Sequence, residues 1–206
     1  MKSQVIGIVD YGVGNLASVR GTLRRIGYRT RVSDNPDDLE TVDLILLPGV
    51  GAFPAAREVL SQRNLDELII NRACAGTPIL GICLGMQLLA DSSTEVSLTG
   101  GLGLVPGYVS QIEGLKSHTG WNQIQTDRTT SHLGDFRDVS VYFNHSFEFR
   151  TSQEFVVSHA QISTDQIICA AVQKDNLVGI QFHPEKSQQN GRDILEIILE
   201  GMINAQ

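Results

Sequence analysis

Cysteine is scarce in this chain of 206 residues: Cys74, Cys83 and Cys169 are all there is. An odd count with no export signal points to a reducing cytoplasm and away from a disulfide-stapled fold. Histidine is scarce too, and His118, His132, His145 and His159 show none of the close paired spacings of zinc sites. No metal and no cofactor is therefore expected. Positive charge is in deficit, with 16 Lys and Arg against 23 Asp and Glu and a net charge of -7. No basic run of five residues exists, which argues against nucleic acid or an anionic membrane surface as partner. No apolar run approaches the ~18 residues of a membrane span. The opening Met1–Asp10 stretch carries charge too close to a short apolar run for a signal peptide. Repeats, low-complexity tracts and linkers are absent as well. What remains is 41% hydrophobic and 19% charged, the composition of a globular domain with a sizeable core. One domain spanning residues 1–206 is expected.

The first ninety residues alternate strand and helix patterns. Val5 to Val9 reads as a strand. Asn15 can cap a helix that runs to Gly27 with Leu16, Val19, Leu23 and Ile26 on one face. Tyr28 to Val32 and Asp43 to Leu47 read as further strands, and the third ends at Pro48-Gly49-Val50-Gly51. Helical patterns follow around Ala55 to Leu60 and Leu65 to Ala75. This order implies an α/β fold, an open and mostly parallel sheet flanked by helices. After Gly101 the texture changes. Val109–Ile112, Trp121–Gln125, Val141–Phe147, Phe155–His159 and Ile167–Val172 suggest shorter, antiparallel strands added in the second half. A helix over Asp193–Met202 closes the chain. Cys74 and Cys169 sit among apolar and small residues and are expected in the core.

The stretch Gly81-Ile82-Cys83-Leu84-Gly85 carries the most chemistry. It lies between the apolar run Pro78-Ile79-Leu80 and the helical pattern Met86–Ala90. A small-x-nucleophile-x-small pattern at a strand-to-helix junction is a nucleophile elbow. The turn needs glycine on both sides, the nucleophile is pushed out at the carboxyl end of the sheet, and the helix start behind it favours negative charge. For a lone cysteine, a buried thiol in an ordinary turn would be the plainer reading. The flanking glycines and a second motif a hundred residues on favour a catalytic Cys83.

That second motif is His183-Pro184-Glu185, at the end of the apolar run Leu177–Phe182. The residue before a proline is biased toward extended backbone, where positions i and i+2 project to one side. His183 and Glu185 are therefore expected to reach one site together, the imidazole as base and the carboxylate as its orienting partner.

A competing motif lies near the N-terminus. Gly12-Val13-Gly14-Asn15-Leu16-Ala17 fits G-x-G-x-x-G/A directly after the first strand, with Asp34 twenty residues beyond Gly14. That pattern alone suggests dinucleotide binding. It leaves Cys83 and His183 without roles, so a loop near the active site or a partner surface is the preferred reading.

Gly-Ile-Cys-Leu-Gly-Met-Gln at 81–87, Pro-Gly-Val-Gly at 48–51 and His-Pro-Glu-Lys-Ser at 183–187 resemble the class I (triad) glutamine amidotransferases. Asp10–Asn15, His118-Thr-Gly-Trp-Asn and Tyr142-Phe-Asn-His-Ser-Phe look like one branch of that family, the glutaminase subunits of imidazole glycerol phosphate synthase. The resemblance implies glutamine hydrolysis by Cys83, His183 and Glu185. Backbone donors for the oxyanion would come from Leu84 and from Val50 or Gly51. Gln87, His145, Ser146 and Phe147 match positions that hold glutamine. Asn15, Trp121, Asn122 and Lys186 match positions near a partner, which the resemblance makes a separate (β/α)₈-barrel cyclase in a heterodimer. Ser117, Asn144 and Phe147 depart from the branch's usual residues. They leave open a related glutaminase that feeds a barrel partner in surface-sugar amidation.

Overall fold

The computed structural model describes residues 2–127, 132, 134 and 136–205. Its first half alternates as expected: β1 (Val5–Val9), α1 (Leu16–Arg25), β2 (Arg29–Ser33), α2 (Pro36–Leu39), β3 (Leu44–Leu47), α3 (Phe53–Gln62), α4 (Leu65–Cys74), β4 (Ile79–Ile82) and α5 (Leu84–Leu88). Asn15 does cap α1, its side chain accepting the Ser18 N–H at 3.3 Å. Gly27 then adopts φ +91°, a left-handed turn that ends the helix. The sequence reading has no counterpart for α2. Four residues cannot display a helical period, although Asn35 caps the turn through the Asp37 N–H and Pro36 opens it.

The second half supplies β5 (Ser92–Ser93), β6 (Thr99–Gly100), β7 (Tyr108–Gln111), β8 (His118–Thr126), β9 (Arg137–His145), β10 (Phe147–Arg150), β11 (Val156–Ser163), β12 (Gln166–Lys174), β13 (Leu177–Ile180) and α6 (Gln188–Asn204). Nine strands form one sheet in the order β2-β1-β3-β4-β13-β12-β11-β8-β9. The run from β2 to β13 is parallel, and β12, β11, β8 and β9 extend it antiparallel. A second sheet of four strands has the order β10-β7-β5-β6. The expected single strand Val141–Phe147 is in fact two. β9 ends at His145 in the large sheet, and β10 starts at Phe147 in the small one. Ser146 is the crossing point, and a cavity that also reaches Cys83 opens there.

Side chains of the buried strands alternate between two cores, as their period of two requires. Leu44 and Leu46 pack with Val19 and Leu23 of α1 and Ile194 and Ile198 of α6. Ile45 and Leu47 pack on the other face with Leu60, Leu65 and Ile69 of α3 and α4. Both faces of the parallel strands are thus covered, which is why β3 and β4 are continuous apolar runs. Truncating a side chain such as Leu46 to alanine would cost about 2–5 kcal/mol. The core expectation fails for Cys74, which is exposed at the end of α4. Cys169 keeps some exposure as a residue, but its sulfur turns inward toward Ala171 O at 3.5 Å, and burial pushes the thiol pKa up to about 12.

Candidate active site

Steric necessity shapes the elbow. A Cβ at Gly81 would sit 2.5 Å from Gly85 O, and one at Gly85 would sit 1.9 Å from Leu47 O. No side chain fits at either position without moving backbone of α5 or β3. Between them Cys83 takes φ 53°, ψ −106°, a conformation that non-glycine residues avoid. Holding it there costs on the order of 1–3 kcal/mol and is the kind of strain found at functional turns. Backbone bonds fix the turn: Cys83 N–H donates to Ile180 O at 2.7 Å, and Gln87 N–H donates to Cys83 O at 3.1 Å. Gln181 Nε2 approaches the sulfur at 3.5 Å.

His183 and Glu185 do meet, but by a different route from the expected extended strand. Pro184–Lys186 is a 3-10 turn with Pro184 in its first position, where a missing N–H costs nothing. The turn brings Glu185 Oε1 to 2.8 Å from His183 Nδ1, with both side chains almost fully buried. Ser187 clamps the turn by donating to His183 O at 2.7 Å and accepting the Tyr142 N–H at 2.9 Å. Gly191 lets α6 close over it, since a Cβ there would lie 2.1 Å from Pro184 O. Because Nδ1 faces the carboxylate, Nε2 is the free nitrogen, buried and without a hydrogen-bond partner among the described residues. Burial works against charge on this ring. The neighbouring Cys83 sulfur and the Glu185 carboxylate outweigh it and raise the His183 pKa to about 9.

A cavity of about 220 Å³ opens onto Cys83, lined by Val50, Gly51, Leu84, Gln87, Glu95, Asn144, His145, Ser146 and Phe147. Every residue expected to hold substrate or to stabilise an oxyanion is in that wall. The Leu84 N–H is among the first amides of α5, which have no partner inside the helix. Gly51 takes φ +130°, which a side chain would not tolerate. Gln87 is tied in place by Nε2, which donates to Phe147 O at 2.9 Å and Gln181 Oε1 at 3.1 Å. Its Oε1 is the atom left to meet a ligand.

Four contributors escaped the sequence reading. Glu95 follows β5, caps α3 by accepting the Phe53 N–H at 2.9 Å and places a carboxylate in the cavity wall. Gln181 bridges Gln87 and the sulfur. His118 holds His145 through a ring-to-ring contact of 3.0 Å. Tyr11 is fully buried beside Pro48. Glu95 and Gln181 belong to no local pattern, and Tyr11 and His118 sit inside recognisable motifs that assign them no role; each gains its role from a strand or loop distant in sequence.

The expected partner residues divide. Trp121 is 47% exposed and meets the Tyr142 ring edge-on at 5.9 Å, while Lys186 Nζ stands 5.8 Å above that same ring. Trp121 and Asn122 line a surface cavity on β8 and β11. Asn15 is exposed but is occupied as the cap of α1. Part of the Gly12–Ala17 motif is closed by packing, since a Cβ on Gly14 would lie 3.6 Å from Gly49 Cα and one on Gly51 would lie 3.6 Å from the Val13 side chain.

A cysteine in a strained elbow beside a buried His–Glu pair, at the carboxyl edge of a parallel sheet, defines a thiol-dependent hydrolase or transferase site. Residues 7–200 match the family described as glutamine amidotransferase class-I, and the chain belongs to that family. It is 41% identical over 93% of its length, and 93% of the relative's, to the imidazole glycerol phosphate synthase subunit HisH of Listeria monocytogenes serotype 4b. It is 42% identical to the subunit HisH of Lactococcus lactis subsp. lactis, covering 95% of this chain and 98% of that one. The crystal structure of a glutamine amidotransferase from Thermotoga maritima shares the fold, with a TM-score of 0.73 at 16% identity over 98% of this chain and 99% of that one. No helix among the described residues is long and apolar enough to cross a membrane.

Proposed function

We propose that the chain is the glutaminase subunit of an imidazole glycerol phosphate synthase. It hydrolyses the side-chain amide of glutamine and delivers the ammonia to a separate (β/α)₈-barrel cyclase subunit. The cyclase then forms imidazole glycerol phosphate and AICAR in cytoplasmic histidine biosynthesis. The observation that carries this reading is the strained Cys83, set beside the His183–Glu185 pair at the wall of a 220 Å³ cavity. Relatives about 40% identical over nearly the whole chain support the choice of synthase.

The chemistry follows from the geometry. Cys83 as thiolate attacks the amide carbon of glutamine, and a C–S bond forms as the carbonyl becomes an oxyanion. N–H groups of Leu84 and of Val50 or Gly51 stabilise that charge, each worth about 3 kcal/mol. The intermediate collapses, the C–N bond breaks, and His183 Nε2 gives its proton to the leaving ammonia. His183 then takes a proton from water, which attacks the thioester and releases glutamate with the thiolate restored. Glu185 holds the ring and stabilises the imidazolium throughout. Gln87 Oε1, Glu95 and the His145–Phe147 segment present acceptors and backbone to the amino acid end of glutamine. Glu95 suits the α-ammonium by charge.

On this reading the ammonia passes to the cyclase chain before solvent protonates it. Ammonia release from glutamine tests the reading, measured for the chain alone, with the cyclase, and with the cyclase loaded with its ligand. Weak turnover alone and stimulation of at least 5- to 150-fold is expected. No ammonia in any arm would end the proposal.

A further inference from the structure

The Gly12–Ala17 loop has a neighbour that suggests its use. Tyr11, just before it, is completely buried, and its hydroxyl donates a close hydrogen bond to Pro48 O. A Cβ on Gly49 would lie 2.6 Å from the Tyr11 hydroxyl and 2.7 Å from Leu84 Cβ. Gly49 is therefore sandwiched between the phenol and the residue that follows the nucleophile. Burial, and then the charge at Cys83, raise the phenol's pKa, so the hydroxyl stays a neutral donor at any working pH. A buried hydroxyl without a partner is costly, and Pro48 O is its partner here.

The Pro48 carbonyl belongs to the peptide that enters Gly49-Val50-Gly51, the segment whose Val50 and Gly51 line the cavity. We infer that Tyr11 is a positioning residue for that segment. Its hydroxyl locks the Pro48–Gly49 peptide, so only the Gly49–Val50 and Val50–Gly51 peptides can reorient. Those two carry the Val50 and Gly51 N–H groups. Tyr11 thus holds one end of the oxyanion segment at a fixed height above Leu84, while Val13 backs Gly51 at the other end. This inference rests on the glutaminase reading of the Cys83 site.

Tyr11→Phe removes the hydroxyl and keeps the ring. It is measured in the complex with the cyclase, using glutamine as substrate. Loss of a whole oxyanion donor is worth about 10²–10³ in rate, and loosening one end of the segment forfeits part of that. The expected result is a roughly tenfold lower kcat with KM changed less than about twofold. Alkylation of Cys83 by iodoacetamide forms no oxyanion and is expected to proceed at the wild-type rate. A variant with wild-type kcat and only a lowered Tm would make Tyr11 a packing residue and overturn the inference. Equal falls in alkylation and turnover would move its effect to the thiol and overturn it too. Failure of the wild-type complex to release ammonia would strike the glutaminase reading instead. If Tyr11→Phe does not fold, the wild-type protein decides. A slowly exchanging Tyr11 hydroxyl proton with a nuclear Overhauser contact to the Gly49 amide is required, and a rapidly exchanging one refutes the lock.

Discussion

His118 Nδ1 stands 3.0 Å from His145 Nε2, joining neighbouring strands β8 and β9 through two buried rings. The contact is the middle of a chain. His145 Nδ1 lies 2.8 Å from Phe147 O, His118 Nε2 lies 2.7 Å from Asn122 Oδ1, and Asn122 Nδ2 donates to Gln161 O at 2.9 Å. Both ends are carbonyls, which only accept. His145 therefore donates from Nδ1, which leaves its Nε2 to accept from His118 Nδ1. Turning the Asn122 amide over would set two oxygens together at Gln161. The chain links the cavity wall to Asn122, which lines a surface cavity together with Trp121.

Nitrogen-15 NMR of the imidazoles checks this placement of hydrogens. His145 is expected as the Nδ1–H tautomer with a bare Nε2. His118→Leu removes the donor to His145 and loosens the His145–Phe147 wall. It is expected to raise KM for glutamine several-fold with a smaller effect on kcat. An Nε2–H tautomer of His145 would mean that its 2.8 Å contact with Phe147 O is not a hydrogen bond.

The elbow allows a stability test of its own. Cys83→Ala and Cys83→Ser should abolish glutaminase activity with the fold intact by circular dichroism, since they remove the proposed nucleophile and the turn is held by its backbone. Cys83→Gly should be as inactive yet more stable than Cys83→Ala. Glycine releases about 1–3 kcal/mol of strain at φ 53°, ψ −106° and gives back roughly 0.5–1 kcal/mol through unfolded-chain entropy. A net gain of about 1 kcal/mol corresponds to a Tm higher by roughly 2–4 °C. Equal Tm values for the glycine and alanine variants would remove the claim of strain.

Much of this site is legible in the sequence because its parts are local. The elbow announces itself through Gly81 and Gly85, whose missing side chains make room for backbone of β3 and α5. His183 and Glu185 are two residues apart, so either an extended strand or a tight turn can bring them together. The proline between them favours extended backbone at His183 and a turn by its own fixed φ, and both effects act: His183 is extended at φ −103°, ψ 96°, and the turn starts at Pro184. The parallel half of the sheet is legible because strands covered on both faces are continuous apolar runs. Short elements such as α2 and β5 carry too few residues to show a period. The crossing of β9 into β10 at Ser146 is invisible because both halves are good strand sequence, and only pairing partners tell them apart. Tyr11, His118 and Gln181 are hidden for the same reason: each acts on a residue more than twenty positions away.

Stability should peak near pH 6.5. His183 has its folded pKa raised to about 9 by Cys83 and Glu185 against burial. Its contribution is fully present below the ordinary histidine value of ~6.5 and is lost as pH rises through about 9. His145 has its folded pKa lowered to about 4, mainly by burial, with the charges of His118 and His183 adding to it. The unfolded chain binds the extra proton first, so stability falls as pH drops from ~6.5 toward 4. Denaturant melts across pH 4–10 read both limbs. Cys83→Ala and Glu185→Gln should flatten the alkaline limb, and His145→Asn should flatten the acid limb. The same series orders catalysis: His183→Ala loses most activity and Glu185→Gln less, because the imidazole moves protons and the carboxylate orients it. A Glu185→Gln variant as inactive as Cys83→Ala, beside an active His183→Ala, would reverse those roles.

Trp121 supplies the last test, since the sequence offers two readings of it, partner anchor or core of the second half. The ring is 47% exposed and is held edge-on to Tyr142, whose own ring lies beneath Lys186, so it is not core. A large aromatic held in one orientation at the surface, next to a lysine and a polar cavity, has the features of an interface anchor. It also lies one residue from Asn122, the outer end of the imidazole chain that reaches His145 in the glutamine cavity. Docking there would bury the indole and bear on the chain in one event. Trp121 is the only tryptophan, so intrinsic fluorescence reports it alone. Adding the cyclase should shift its emission to the blue or quench it. Trp121→Ala should weaken binding by about 2 kcal/mol, roughly 30-fold in Kd, and leave Tm nearly unchanged. It should also reduce the partner's stimulation of glutaminase turnover without changing the slow turnover of the chain alone. An unshifted spectrum in the complex, together with wild-type affinity in the variant, would place the docking face elsewhere on the chain.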